Sequence, residues 1–270
     1  MEDPDAIQQL FVLLLYAVGK WVIQYAASEP SDLARLSEEQ KSTIISHLDG
    51  FCVQDTWDDF VERAPAMKDG LVAEVLLTAL VYQDLHVRMI EHPFWYLDGK
   101  GAQDQAEDDT FGERLEYLYE RFLETTNLTF GRYNQGRREA AAARLAKDLL
   151  LSGPVLSLLK TPASDEVEKK RREELVAIYT RASHAALSND QCSGQTEFSR
   201  LADIGPTYHS SSDELSAHEY HGVGSGDTKL DGHRILLVFR PAMRHKLNQQ
   251  SPEPVIWLPA VVLVEDDRVD

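Results

Sequence analysis

Residues 5–27, DAIQQLFVLLLYAVGKWVIQYAA, are apolar on almost every side, and a chain that carries them must keep them out of water. Ile7, Leu10, Phe11, Leu14, Leu15, Val18, Val22 and Tyr25 recur at spacings of three and four, the helical period. A helix this apolar either sits centrally in a protein or crosses a bilayer. A bilayer span takes about 20 mostly apolar residues, whereas Gly19 and Lys20 interrupt this run and Gln24 follows. The expectation is a buried central helix and no membrane.

Further helical signals follow. Pro30 ends the first helix, and Ser37 with Gln40 three residues on is a capping-box pattern for a second, which Asp49-Gly50 closes. A short helix is expected from Thr56 to Arg63. A long core helix is expected over 67–91, where Leu71, Val75, Leu76, Ala79, Leu80, Leu85 and Met89 form a broad stripe. Pro93 and Gly99 make HPFWYLDGKG a connector, and helices resume over 110–125 and 134–151, the second rich in alanine. After Gly153-Pro154 come a short helix near 155–160 and a charged one from Ser164 to about Leu187.

Beyond Asn189 the composition changes to Ser, Gly, Asp and His, which reads as a polar surface segment. Two apolar runs then appear, HRILLVF (233–239) and VIWLPAVVLVE (255–265), bounded by turn residues and separated by enough chain for a hairpin loop. Pro259 inside the second run marks a sheet edge or a bulge. The fold expected is therefore mainly α: a multi-helix bundle over 1–187, a mobile polar segment over 188–232, and a C-terminal β-hairpin within 233–270 packed on the helices.

Charge narrows the partners. The formal net charge is −18, and residues 1–130 hold 25 acids against 9 bases. A field of that sign repels phosphate backbones and favours basic proteins or cations, so a protein partner is expected and direct nucleic-acid binding is not. Cys52 and Cys192 are too few for a disulfide framework, and the acidic start MEDPDAIQQL lacks the basic region of a secretory signal. Both point to a cytoplasmic or nuclear protein. The run Glu168-Lys-Lys-Arg-Arg-Glu173 fits nuclear import, but Asp165 with Lys169 and Glu168 with Arg172 also fit a solvated helix face.

The stretch SAHEYHGVGSGDTKLDGHRILLVFRP raises the question of a metal. His218 and His221 are three apart with Glu219 between them, and His233 follows. Zinc-binding pairs on a helix are usually about four apart, so that both rings point one way. Leu230-Asp231-Gly232 reads more simply as a turn feeding a strand, with the histidines at the surface and no resident metal. A metallohydrolase is the lesser alternative.

Two family resemblances bear on function. Asp108-Asp109-Thr-Phe-Gly-Glu113 resembles the aspartate-rich motif of class I terpene cyclases, and Asn189-Asp-Gln-Cys-Ser193-Gly-Gln-Thr-Glu197 resembles their second metal-binding motif. That resemblance implies a magnesium-dependent enzyme on an isoprenoid diphosphate, with Asp108, Asp109, Glu113, Asn189, Ser193 and Glu197 around the ions. Separately, HPFWYLDG with LDGHRILLVFRPAM and VIWLPAVVLVEDD resembles a group of filamentous-fungal proteins with a helical body and a terminal strand pair. It implies an intracellular, regulatory role without assigned chemistry, and Pro259 departs from its pattern. The reading carried forward is a noncatalytic interaction or regulatory module that needs no cofactor; the cyclase with magnesium is the alternative.

Overall fold

In the computed structural model the described residues are 4–28, 30–64, 71–91, 128–192, 194–224, 226–246 and 253–266. The helices among them are α1 (Pro4–Tyr25), α2 (Pro30–Leu33), α3 (Glu38–His47), α4 (Trp57–Arg63), α5 (Val72–Leu85), α6 (Leu128–Leu150), α7 (Gly153–Leu158) and α8 (Asp165–Asp190). The helix expected over 110–125 and the HPFWYLDGKG connector lie outside the described residues.

Local signals place the helix starts. Ser37 accepts the N–H of Gln40 at 3.2 Å while Gln40 Oε1 accepts the N–H of Ser37 at 2.9 Å, so both halves of the capping box form. Thr56 caps α4 through the N–H of Asp59, and Ser164 caps α8 through that of Val167. Gly50, at φ 77°, turns the chain out of α3.

The central helix is α5 rather than α1. Val72, Ala73, Val75, Leu76, Leu77, Ala79, Leu80, Val81, Tyr82 and Leu85 are all buried, so α5 is covered on every side. It packs against α1, α7 and β3. Helix α1 instead buries one face, Ile7, Phe11, Leu14, Val18, Trp21, Val22 and Tyr25, against α5 and α8, and leaves Val12, Leu13, Tyr16 and Ile23 exposed. After Leu85 the helix widens into a π-helical turn, His86–Ile90, closed by the N–H of Glu91 on His86 O at 3.0 Å.

The expected hairpin becomes two three-stranded sheets. Its first arm is β3 (Ile235–Arg240) and β4 (Ala242–Lys246), and its second is β5 (Val255–Leu258) and β6 (Ala260–Val264). β4 pairs antiparallel with β5 and β3 with β6, so the arms do run side by side. Each arm breaks at a proline, Pro241 and Pro259, which has no N–H to give a ladder. Across the break Arg240 Nη2 donates to Pro259 O at 2.8 Å.

The polar segment supplies the third strand of each sheet. β1 (Gln195–Ser199) pairs antiparallel with β4, and β2 (Leu215–Ala217) pairs parallel with β6. This corrects the expectation of a mobile stretch over 188–232, where Ser199, Tyr208, Leu215, His221 and Leu230 are buried. Gly194 lets β1 approach β4: at φ +114° a Cβ there would stand 2.4 Å from Lys246 O.

Strand β3 joins sheet to helices. All six of its residues are buried; Leu236, Leu237 and Phe239 enter the main core, while Ile235 and Val238 meet Phe51, Tyr208 and Leu230. The segment after α3 extends the ladder, with Val53 N–H donating to Leu236 O at 2.9 Å and Val238 N–H to Phe51 O at 2.7 Å.

Candidate functional site

The three histidines of the loop serve the backbone. His218 accepts the N–H of Tyr220 on Nδ1 at 3.3 Å and donates its own N–H to Val262 O at 2.9 Å. Its ring lies between Tyr220 and Phe239, each centroid 4.3 Å away. Burial pushes its pKa down to about 4, with His221 acting in the same direction. His221 is buried, and its Nε2 accepts the N–H of Val264 at 3.0 Å, continuing the ladder at the end of β6. His233 Nδ1 donates to Glu265 O at 3.0 Å, which fixes that tautomer. The expectation of surface histidines is corrected on this point: His221 is core, and His218 is half-buried. Among the described residues no three His, Cys, Asp or Glu side chains come together as metal ligands.

Of the cyclase-like residues, Asp108, Asp109, Glu113 and Ser193 lie outside the described residues. Asn189 stands in the last turn of α8, where its Oδ1 accepts the Thr196 hydroxyl at 2.8 Å. Glu197, exposed on β1, lies opposite Arg244 of β4. Asn189 thus clips α8 to β1.

Polar side chains gather where α5 widens. On the sheet side, Glu91 sits 3.3 Å from His86 Nδ1 and receives a two-pronged contact from Arg200, its Nε at 3.1 Å from Oε1. Burial alone would raise the Glu91 carboxyl, but His86 and Arg200 outweigh it and hold the pKa below the usual value. His86 meets the edge of Phe198 at 4.6 Å, and burial lowers its pKa. Beside it, Tyr82 Oη and His86 Nε2 have no hydrogen-bond partner among the described residues, in a hollow without room for a water. On the other side, Asp84 accepts the Tyr179 hydroxyl and lies 3.4 Å from Arg88, in a cleft of about 470 Å³ that His47 and Asp148 also line. Burial pushes the Asp84 carboxyl up against both partners. Tyr82, Asp84, His86, Arg88 and Glu91 interrupt an apolar helix in the sequence, and that interruption is the signal that could have flagged the site.

A groove of about 810 Å³ opens between α1 and α8. Leu10, Leu13, Leu14, Ala17 and Ile178 make its apolar floor, and Tyr16, Lys20, Glu174, Arg181 and His184 stand around it. The walls are tied together: Trp21 Nε1–H donates to Arg171 O at 3.0 Å, and the Tyr25 hydroxyl donates to Glu174 at 2.9 Å. Tyr16 and Leu13 are 62% and 47% exposed, and Val12 and Ile23 continue the apolar strip beyond the groove. Helix α1 is also long and apolar enough to cross a bilayer, although 39% of its most apolar window is buried in the protein. The sequence showed α1 as apolar all round but gave no sign that α8, some 150 residues on, would leave one face open.

Comparison of the chain with family models, curated proteins and solved structures finds no match.

Proposed function

We propose that this chain is a noncatalytic, intracellular protein-interaction or regulatory module. Its helices form a multi-helix bundle, and the groove between α1 and α8 holds an amphipathic helix of a protein partner. The observation that carries the reading is the exposed apolar strip of α1, Val12, Leu13, Tyr16 and Ile23, beside an open groove with an apolar floor. Exposed large side chains side by side and rimmed by polar groups are a mark of an interaction surface. A groove between two rigid helices suits a partner helix with anchors at i, i+3, i+4 and i+7.

Lipid fits the same strip less well. Trp21 and Tyr25 anchor the opposite face of α1 to α8 through hydrogen bonds, and insertion of α1 into a bilayer would break that packing.

Selection of displayed helical peptides against the full chain tests the proposal. Clones with apolar residues at helical spacing should be enriched, and Leu13→Asp should weaken their binding by about tenfold or more while the melting temperature stays unchanged. No enrichment, or clones indifferent to Leu13→Asp, would refute the proposal. Flotation of the wild-type chain with phosphatidylcholine vesicles would assign the strip to a bilayer instead.

A further inference from the structure

We infer that the helix held in the groove is acidic, with carboxylates flanking its apolar stripe on both sides. This rests on the groove being a docking site and specifies what docks there. Lys20 projects from α1 on one wall and Arg181 from α8 on the other, and both are exposed. Among the described residues neither has a carboxylate partner; Lys20 is instead held over the Tyr16 ring at 5.1 Å, which points its ammonium along the wall. The one carboxylate at the groove, Glu174, is already committed, accepting the Tyr25 hydroxyl at 2.9 Å and lying 3.7 Å from Lys170.

The contrast with the rest of the chain gives this arrangement its force. With 45 acids against 27 bases the chain as a whole attracts cations, yet among the described residues lining the groove Lys20 and Arg181 face no carboxylate partner and Glu174 is already engaged. A basic helix seated here would set its charges against Lys20 and Arg181. An acidic helix pairs with both. The two rim cations therefore favour an acidic helix over a basic one. Rim pairs of this kind are solvent-screened, so the preference should weaken as salt rises.

Two synthetic helices of about 20 residues, with the same Leu and Phe stripe but flanked by Glu in one and Lys in the other, distinguish the possibilities when titrated by fluorescence anisotropy against the full chain. The Glu-flanked peptide should bind about tenfold tighter at low salt, and the gap should narrow at physiological salt. Lys20→Glu with Arg181→Glu should reverse the preference, and Lys20→Gln with Arg181→Gln should abolish it; thermal melts of both variants check that they fold. If the Lys-flanked peptide binds as well or better and Leu13→Asp abolishes both, the acidic specificity is wrong and the groove stands. If neither peptide binds the folded wild-type chain, the groove fails as a helix site and the acidic specificity fails with it.

Discussion

His218 is held neutral by its surroundings. Its Nδ1 lone pair is engaged by the Tyr220 N–H, and its ring is packed between two aromatic side chains, so protonation would cost both the hydrogen bond and the desolvation of a charge. The folded pKa is about 4, whereas the unfolded chain takes up this proton near 6.5. Above about 6.5 neither state is protonated and the contribution to stability is complete. As the pH falls from about 6.5 to about 4 the unfolded state binds a proton that the folded state refuses, and about 2–3 kcal/mol of stability is lost. Urea unfolding across that range should show the decline, and His218→Phe, which keeps the stack but carries no proton, should flatten much of it. An equally steep decline in His218→Phe would assign the effect to other groups. The HEYH spacing itself was plain in the sequence; its purpose was not, because the N–H that His221 receives belongs to Val264, 43 residues further on.

At the scale of elements, legibility followed the range of the causes. The capping box of α3 is a contact three residues long, and the sequence displayed it. Which of two apolar helices is enclosed depends on what packs around them: α1 was expected to be central, yet α5 is covered on every side and α1 is open on one. The polar end of α5 depends equally on long-range partners, since Arg200 reaches Glu91 across 109 residues. This contact bridges the π-helical turn to the segment following β1, and Glu91 in turn faces the buried His86. Removing the guanidinium leaves a carboxylate whose side chain is only 22% exposed with no cation beside it. Arg200→Ala should therefore cost about 2–3 kcal/mol, more than the roughly 0.5 kcal/mol of an ordinary surface pair. In a double-mutant cycle with Glu91→Gln the coupling should exceed about 1 kcal/mol. Additive effects of the two changes would mean that the pair is screened and leaves the π-helical turn unsupported.

Across the whole molecule, the C-terminal strands pack into the main core of the helices and build a second, smaller cluster beside it, so the helical body should need them. The two apolar runs showed in the sequence because strands are written locally in β-branched residues, but their partners β1 and β2 are Gln-Thr-Glu-Phe-Ser and Leu-Ser-Ala, with too little apolar periodicity to announce themselves. The groove was hidden for a similar reason: it exists only once α8 lies along α1. Leu236, Leu237, Phe239, Met243, Leu258 and Leu263 pack in the same cluster as the residues of α1 and α5. Removing them uncovers the sheet-facing side of α5, strips the backbone of Val53 and Phe51 of its bonds to β3, and leaves β1 and β2 without neighbours. Leu237→Ala alone should cost about 2–5 kcal/mol, because the side chain is fully enclosed and its loss leaves a cavity. Deletion of residues 230–270 removes all four of the strands from β3 to β6, far more than the margin of about 5–15 kcal/mol by which a domain is stable. The truncated chain should therefore lose its cooperative thermal transition and sediment as aggregates, since the bared apolar face of α5 and the strand edges have nothing else to cover them. A monodisperse truncated protein that melts at the wild-type temperature would show the helical body to be self-sufficient, and the shared core would then be no part of what holds it together.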